Sequence, residues 1–420
     1  MESIKVCMVV KNQLWNDARV KKEAISLTEA GFNVTIIAET EEGCPTEETW
    51  KNIRILRPLK DSTRRNALRE KVIDASAKEN ESLKSRIIKL LRRNRFRRFL
   101  TDLTRAFPWE YRLYKAALST GADIFHANDL DTLFICAKAA GKTGAKLVYD
   151  SHELWLESSR YFIATSALDR FRYRITEKKF IPKTDAVIAV TPSRGEVMKE
   201  MYPSISKLVI IENSTDPIRE LPESSYLRNR LAIPAGVPVI LYQGVICPER
   251  GLDKLLEAAS VLRDEKIAIV IIGHDAWQGT LHRMHSEMNL KNTVFLLPPV
   301  PSEALPEVTV SADAGLILFE NTCLNHYYSL PNKLYEYMMA GLPVMASDFP
   351  EMARIINKHS CGILVDPSSP QEIAKGLKEL IRSPDEMRQM GIRGRKASLD
   401  KYNWPVEEKK LVDLYVELSL

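Results

Sequence analysis

The chain has 420 residues, 45% of them hydrophobic and 27% charged, with a net charge of +5. That is ordinary for a globular protein and, at about 150 residues per domain, suits two domains. Six cysteines (Cys7, Cys44, Cys136, Cys247, Cys323 and Cys361) are scattered without paired spacing, which speaks against a zinc ribbon or redox couple and predicts a reduced, cytoplasmic chain. The only apolar run near the N-terminus, Val6 to Val10, is too short for a secretory signal, and nowhere do about 20 apolar residues follow one another. The chain is expected neither to leave the cell by that route nor to cross a bilayer.

In chain order, β-branched runs predict strands at Ile4–Val10, Val34–Ala38, Ile53–Leu56, Ile124–His126, Lys146–Asp150, Ala186–Val190 and Leu208–Ile211, with helical patterns between them. Between Arg64 and Lys115 there are sixteen Lys and Arg against six Asp and Glu, so this segment alone exceeds the surplus of the whole chain. Within it, residues 83–100 set Leu83, Ile87, Leu90 and Leu91, then Phe96, Phe99 and Leu100, at helical spacing among arginines. Such a helix can lie on an anionic membrane surface, and a solvated or domain-packed insertion would give the same pattern. No nucleic-acid module surrounds it.

His126-Ala127-Asn128-Asp129 and Asp150-Ser151-His152-Glu153 each close a predicted strand. Ionisable residues just past the end of a parallel strand face the crevice where such sheets bind ligands. His126, Asp129, His152 and Glu153 are therefore the catalytic candidates, Glu153 as a base, against the plainer alternative of histidines that only cap strands.

A polar, two-proline seam at Asn213–Pro222 separates a second half with strands at Val239–Gln243, Ala268–Gly273, Thr293–Leu296, Ala314–Phe319, Pro343–Ala346 and Gly362–Val365. Residues Ala314 to Asp348 read as strand, polar loop, short helix and strand. Pro331 suits the first turn of that helix, where the free N–H groups of Leu330 to Lys333 and the helix dipole can hold a diphosphate. Lys333 adds a charge, and Glu336, on nearly the same helix face, can accept ribose hydroxyls. The bland alternative is a surface helix with one Lys/Glu pair. His282 and His285 are spaced i, i+3 without a third metal ligand nearby, and no dinucleotide fingerprint, phosphate-loop lysine or nucleophile elbow occurs.

Several segments together resemble one family. Tyr242-Gln-Gly-Val-Ile-Cys-Pro-Glu-Arg-Gly-Leu looks like its strand, glycine turn, basic residue and helix; Asn289 to Pro301 looks like its linker strand, and Ser329 to Asp348 like its donor loop. In the first half, Asn16-Asp-Ala-Arg-Val-Lys-Lys-Glu, Ala122 to Asp129 and Tyr149-Asp-Ser-His-Glu are similar to a branch of bacterial enzymes that build surface polysaccharides. The chain resembles family-4 glycosyltransferases of the GT-B fold. That implies an α/β architecture of two facing Rossmann-like, doubly wound parallel-sheet domains with a cleft between them. Residues 1–213 would form the acceptor domain, with the basic insertion at 64–115. Residues 214–405 would form the donor domain, and a last helix at 406–420 could cross back.

Carried over residue by residue, the resemblance places Gly244, Arg250, Ser329, Leu330, Pro331, Asn332, Lys333 and Glu336 on the donor. It implies no metal and no cofactor beyond the nucleotide diphosphate sugar. Two positions depart from the family: Val245 stands where an arginine is common, and Tyr328 where a sugar-facing glutamate is common, with Glu320 in the same loop at another spacing. The family's catalytic histidine falls at His126 or at Asn128. The expected activity is retaining transfer of a hexose to a lipid-linked or cell-surface glycan, on the inner face of the membrane if the basic segment docks there. The rivals are a nucleotide-sugar epimerase of the same fold and a non-catalytic membrane-associated scaffold.

Overall fold

The structure is a computed structural model and describes residues 3–40, 43–58, 110–159 and 167–420. The basic run 83–100, with nearly all of segment 64–115, lies outside the described residues.

Two sheets are present. The first has eight strands in the order β3-β4-β2-β1-β5-β6-β7-β8: β1 Lys5–Val9, β2 Asn33–Ile37, β3 Glu47–Trp50, β4 Ile53–Leu56, β5 Ile124–Asn128, β6 Lys146–Ser151, β7 Ala186–Ala189 and β8 Leu208–Ile210. All neighbours run parallel except β3 and β4. The second has six parallel strands in the order β11-β10-β9-β12-β13-β14: β9 Val239–Gln243, β10 Ala268–Ile272, β11 Val294–Leu297, β12 Ala314–Ile317, β13 Val344–Ser347 and β14 Gly362–Val365. Helices cover both faces of each sheet, so central strands such as β7, β9 and β10 are buried at every position and mostly aliphatic rather than alternating. Each sheet carries an apolar core on either face.

The strand order reverses between β1 and β5 and again between β9 and β12. Ligands of doubly wound sheets bind outside the C-terminal ends of strands at these points. The two points bring Asp129 and His152 of one domain opposite Arg250, Asn325, His326 and Ser329 of the other, with Gly244 in an adjoining cavity.

Six helices position the site: α1 Ala18–Glu29, α2 Leu130–Thr143, α3 Pro192–Met201, α4 Leu252–Val261, α5 Asn332–Met339 and α6 Trp404–Leu418. The last of these follows the second domain yet packs on the first. Trp404, Leu411, Leu414 and Tyr415 join the core of β1 and α1, and Trp404 Nε1 donates to Ser26 Oγ at 3.0 Å. The junction between domains is polar. Glu212 accepts from Tyr335 Oη at 2.8 Å and Arg354 Nη2 at 2.6 Å, and its N–H donates to Glu407 Oε2 at 2.8 Å. No helix among the described residues is long and apolar enough to cross a membrane.

Candidate active site

In the second domain a backbone cradle is set by close approaches. Gly244 follows β9 with φ of +137°, and its carbonyl lies where a Cβ on Gly273 would come within 1.6 Å. Only glycines allow the two turns to touch. Helix α5 is fixed through Tyr337, fully buried, whose hydroxyl donates to Leu241 O and accepts from Gln243 N, each at 3.0 Å. Burying a ring of this size contributes about 2–3 kcal/mol. A Cβ on Gly315 would sit 2.2 Å from that ring, so β12 needs a glycine there. Pro331 takes the cap position, one residue before the first turn expected for it, and no side chain caps the start of α5. Leu334 N–H donates to Pro331 O at 2.9 Å, and the N–H groups before it lack the i−4 acceptor that the helix interior supplies.

Gln243, Gly244, Val245, Gly273, His274, Val300, Asn332, Lys333 and Glu336 are among the lining of a cavity of about 450 Å³. Lys333 Nζ lies over the Tyr242 ring at 3.9 Å. Burial, reinforced by the charge of Arg250, pushes its ammonium down to about 7. Glu336 Oε2 accepts from Gln243 Nε2 at 2.5 Å, and burial raises its carboxyl. Gln243 is held in turn by Thr309 Oγ1, which donates to its Oε1 at 2.9 Å. The sequence gives no motif signal for Gln243; its role follows from standing last on β9, beside α5.

A second cavity, about 350 Å³, adjoins the first at Asn332 and is lined from both domains. Arg250, Phe319, Asn325, His326, Ser329, Leu330 and Pro331 form one wall, with the Arg250 guanidinium 4.0 Å from the Phe319 ring centre. Burial, then Arg250 and Arg194, push His326 down to about 4, so it faces the cavity as a neutral imidazole. Tyr328 is turned aside: its ring packs on Tyr327, and its carbonyl accepts from Thr191 Oγ1 at 3.3 Å. Neither Tyr328 nor Glu320 lines the cavity, and Asn325, His326 and Ser329 are the residues of this loop that do, with Leu330 to Asn332.

Asp129, His152 and Glu153 form the opposite wall. Asp129 breaks from β5 into α2 with φ of +64°, rare for a residue with a side chain. This turn lets Oδ1 accept from His152 N at 3.2 Å and Trp155 Nε1 at 3.1 Å, while Oδ2 lies 3.2 Å from His152 Nδ1. The other ring nitrogen of His152 is 2.8 Å from Asp150 Oδ2. Burial alone would lower His152; the two carboxylates outweigh it and hold the imidazole well above its usual value. Charged, with both N–H groups committed, His152 has no lone pair for a proton and serves as a fixed cation rather than a base. Glu153 is the more accessible carboxylate, with 46% of its side chain exposed, and it accepts from Asn325 Nδ2.

The expectation for His126 is corrected. Strand β5 runs two residues beyond the expected end, to Asn128, so His126 sits mid-strand and is fully buried, its Nδ1 2.5 Å from Tyr415 Oη. Asn128 is buried as well and donates to Val9 O at 3.1 Å. Neither lines the cavity.

Two residues outside the candidate list join the domains. Arg194, at the start of α3, donates from Nη1 to His152 O at 2.7 Å and from Nη2 to Asn325 O at 2.9 Å. Asn325 Oδ1 accepts from Leu154 N at 2.9 Å. The Thr191-Pro192 helix start signals a cap in the sequence, but nothing local says that the arginine after it bridges domains.

With this geometry in place, the comparisons are specific. Residues 19–219 match the family model described as Glycosyltransferase Family 4, and residues 224–397 the one described as Glycosyl transferases group 1. The D-inositol 3-phosphate glycosyltransferase of Thermobispora bispora is 24% identical over 57% of this chain and 58% of its own length. The putative colanic acid biosynthesis glycosyl transferase WcaI of Escherichia coli is 27% identical over 38% of this chain and 39% of its own. The chain thus spans less than two thirds of the length of these relatives. Among solved structures, sucrose-phosphate synthase from Thermosynechococcus elongatus aligns with a TM-score of 0.74 at 16% identity, covering 99% of both chains. Anabaena Alr3699/HepE in complex with UDP-glucose aligns with a TM-score of 0.70 at 14% identity, covering 99% of this chain and all of its own. At such identities the likeness is one of fold.

Proposed function

Because the chain belongs to the family-4 glycosyltransferases and carries the GT-B fold, we propose that it transfers a hexosyl group, with retention of configuration, from a nucleotide diphosphate sugar to a lipid-linked or cell-surface glycan. The observation that carries this reading is the junction at Asn332, where two cavities meet at a helix start. A nucleoside would lie against Glu336 and Gly273, its diphosphate at Gly244, Lys333 and the N–H groups of α5, and its sugar between Ser329 and the Asp129–His152 wall. HepE, a structural neighbour, is named as holding UDP-glucose, and WcaI is named for colanic acid biosynthesis; both support the reading.

As the bond from the anomeric carbon to the diphosphate lengthens, negative charge gathers on the phosphate. Arg250, Lys333 and the amide dipoles of α5 are fixed in a partly dry site and stabilise that charge by several kcal/mol, the work a metal does elsewhere. The acceptor oxygen then bonds to the anomeric carbon on the face the diphosphate leaves, and a departing phosphate oxygen takes the hydroxyl proton. Glu153 is placed to orient that hydroxyl.

A thermal-shift screen of nucleotide diphosphate sugars tests the donor site, since a ligand at 100 times its Kd stabilises by about 2.7 kcal/mol. Product NMR against a lipid-linked glycan acceptor then tests the transfer. Failure of every donor to bind removes the reading. An inverted product removes retention, and conversion of the donor to its epimer without acceptor supports the epimerase instead.

A lipid-linked acceptor would be met at the inner face of the membrane. The run 83–100 supports this by composition, with eight Lys and Arg and no Asp or Glu, each basic residue adding about 1 kcal/mol near anionic lipid. Sedimentation with anionic vesicles should weaken as salt rises. No sedimentation in dilute buffer would point to a soluble acceptor.

A further inference from the structure

Behind the acceptor-side wall lies a set of buried charges that the transfer step does not use. Arg19 and Glu23 come from α1, His126 from β5 and Asp150 from β6, and none is more than 5% exposed. Ligand atoms of Glu23, His126 and Asp150 lie within 4.8 Å of one another, a spacing that could suit a metal ion. Arg19 already supplies the cation. Its Nε is 2.8 Å from Asp150 Oδ2 and 3.0 Å from Glu23 Oε1, and its Nη2 is 3.0 Å from Asp150 Oδ1.

Two further contacts carry Arg19 toward the site. Nη1 donates to Ile211 O at 3.0 Å and to Asn213 Oδ1 at 3.3 Å, on the segment that leaves β8 for the second domain. Asn213 itself lines the cleft. On the other side, Asp150 Oδ2 is shared between Arg19 Nε and His152 Nε2, each at 2.8 Å. With both carboxylate oxygens gripped by one planar fork, Asp150 cannot rotate, and the orientation of His152 follows from it.

We propose that Arg19 is a positioning residue for glycosyl transfer: its fork fixes Asp150, which with Asp129 clamps the His152 ring at the cavity wall. The same guanidinium pins Asn213 at the base of the cleft. This rests on the transferase reading for its kinetic consequences but not for its structural ones. A lysine would keep the buried charge and lose the fork, since an ammonium cannot meet two carboxylate oxygens and a carbonyl in one plane.

The test uses the full chain with Arg19→Lys, His152→Gln and the double variant. Arg19→Lys should lower kcat by about 10- to 100-fold, while affinity for the nucleotide diphosphate stays within about twofold, because the nucleoside and diphosphate groups belong to the other domain. The double variant should be no slower than His152→Gln alone, the mark of two residues acting through one path. A kcat within twofold of wild type, multiplicative losses, or nucleotide affinity falling in step with kcat would each overturn the proposal. An independent arm needs no turnover. In ¹⁵N-histidine-labelled protein at neutral pH, two protected ring N–H signals, assigned by their loss in His152→Gln, should be present in wild type and broadened in Arg19→Lys. If they are unchanged, Arg19 does not hold the ring, even if the chain proves to transfer no sugar. If Arg19→Lys does not fold, Arg19→Gln, which also loses the fork, replaces it in both arms with the same expected and overturning results.

Discussion

The ammonium of Lys333 lies 3.9 Å from the centre of the Tyr242 ring, in the space that a side chain on Gly244 would fill. With Arg250 adding like charge, burial pushes Lys333 down to about 7, from an ordinary 10.5. A diphosphate bound there, as proposed, would bring two negative charges to the residue, outweigh both causes and favour the protonated form.

Donor binding should therefore take up a proton. The folded-state value is depressed, so the empty protein is increasingly unprotonated at Lys333 above about pH 7, and uptake should approach one proton per donor near pH 8–9 and fade below pH 7. A nucleotide diphosphate sugar, whose diphosphate does not titrate there, is the right probe. Calorimetry in two buffers of different ionisation enthalpy measures the uptake. Equal apparent enthalpies at pH 8.5, or a Lys333→Met variant that still takes up a proton, would remove the link.

Replacing Lys333 or Arg250 by Ala should cut transfer by about 10² to 10³, the usual effect of losing one preorganised donor to a developing charge. Thermal stability should hold in Lys333→Ala or rise slightly, since the buried ammonium is itself unfavourable. Rates near wild type in both variants would dismantle the diphosphate assignment.

Activity should survive a chelator. On the proposed reading the cations that would face the diphosphate are side chains, Arg250 over the Phe319 ring and Lys333 over the Tyr242 ring. Turnover lost in chelator and restored by Mg²⁺ or Mn²⁺ would mean that the stabilising charge comes from elsewhere.

His152 and Lys333 predict opposite slopes of stability with pH. His152 has a folded value raised well above 6.5, so its contribution is full below about 6.5 and lost as pH rises through the folded value. Lys333 is depressed, so its penalty is full below about 7 and disappears as pH rises toward 10.5. Melting curves across pH 6–10 should show a steeper gain with pH in His152→Gln than in wild type. Parallel curves would mean that His152 is not held as a cation.

Most of the fold is legible in the sequence because fully buried parallel strands read as aliphatic runs with helical spacing between them. Strand β3 escapes, as its hairpin turns on Lys51 and Asn52 with φ of +49° and +63°, a left-handed pair without a glycine to announce it. The site is harder to read. Both faces of a doubly wound sheet are buried, so alternation along β5 cannot tell which residue emerges into the cleft; only the end of the strand can. Two more residues of pairing, Ala127 with Tyr149 and Asn128 with Asp150, move His126 from the rim to the interior and leave Asp129 at the edge. On β6 the error is one residue, and His152 and Glu153 still emerge. Arg194 and Asn325 could not be found from local pattern, since each has a partner in the opposite domain, Asn325 O for Arg194 and Leu154 N for Asn325.

Those two residues carry the last prediction. Arg194 donates to carbonyls in both domains, His152 O at 2.7 Å and Asn325 O at 2.9 Å, and hydrogen bonds from a charged group are worth about 1.5–3 kcal/mol each. Losing the one that crosses between domains, to Asn325 O, should shift the balance between the two domains facing closely and standing apart by a comparable amount, or about 10- to 100-fold in population. Arg194→Ala should then lower kcat/KM by a similar factor for donor and acceptor together, because both substrates need the shared wall. Small-angle scattering should record a larger radius of gyration for Arg194→Ala without donor, and a saturating donor should reverse the expansion. Asn325→Ala leaves its carbonyl for Arg194 but removes the contacts to Leu154 and Glu153, which also cross between the domains, so it should expand the chain and lower kcat/KM in the same direction. Scattering curves that superimpose on wild type, with the kinetic loss confined to one substrate, would make Arg194 a contact of that substrate alone and end its role as a bridge between domains.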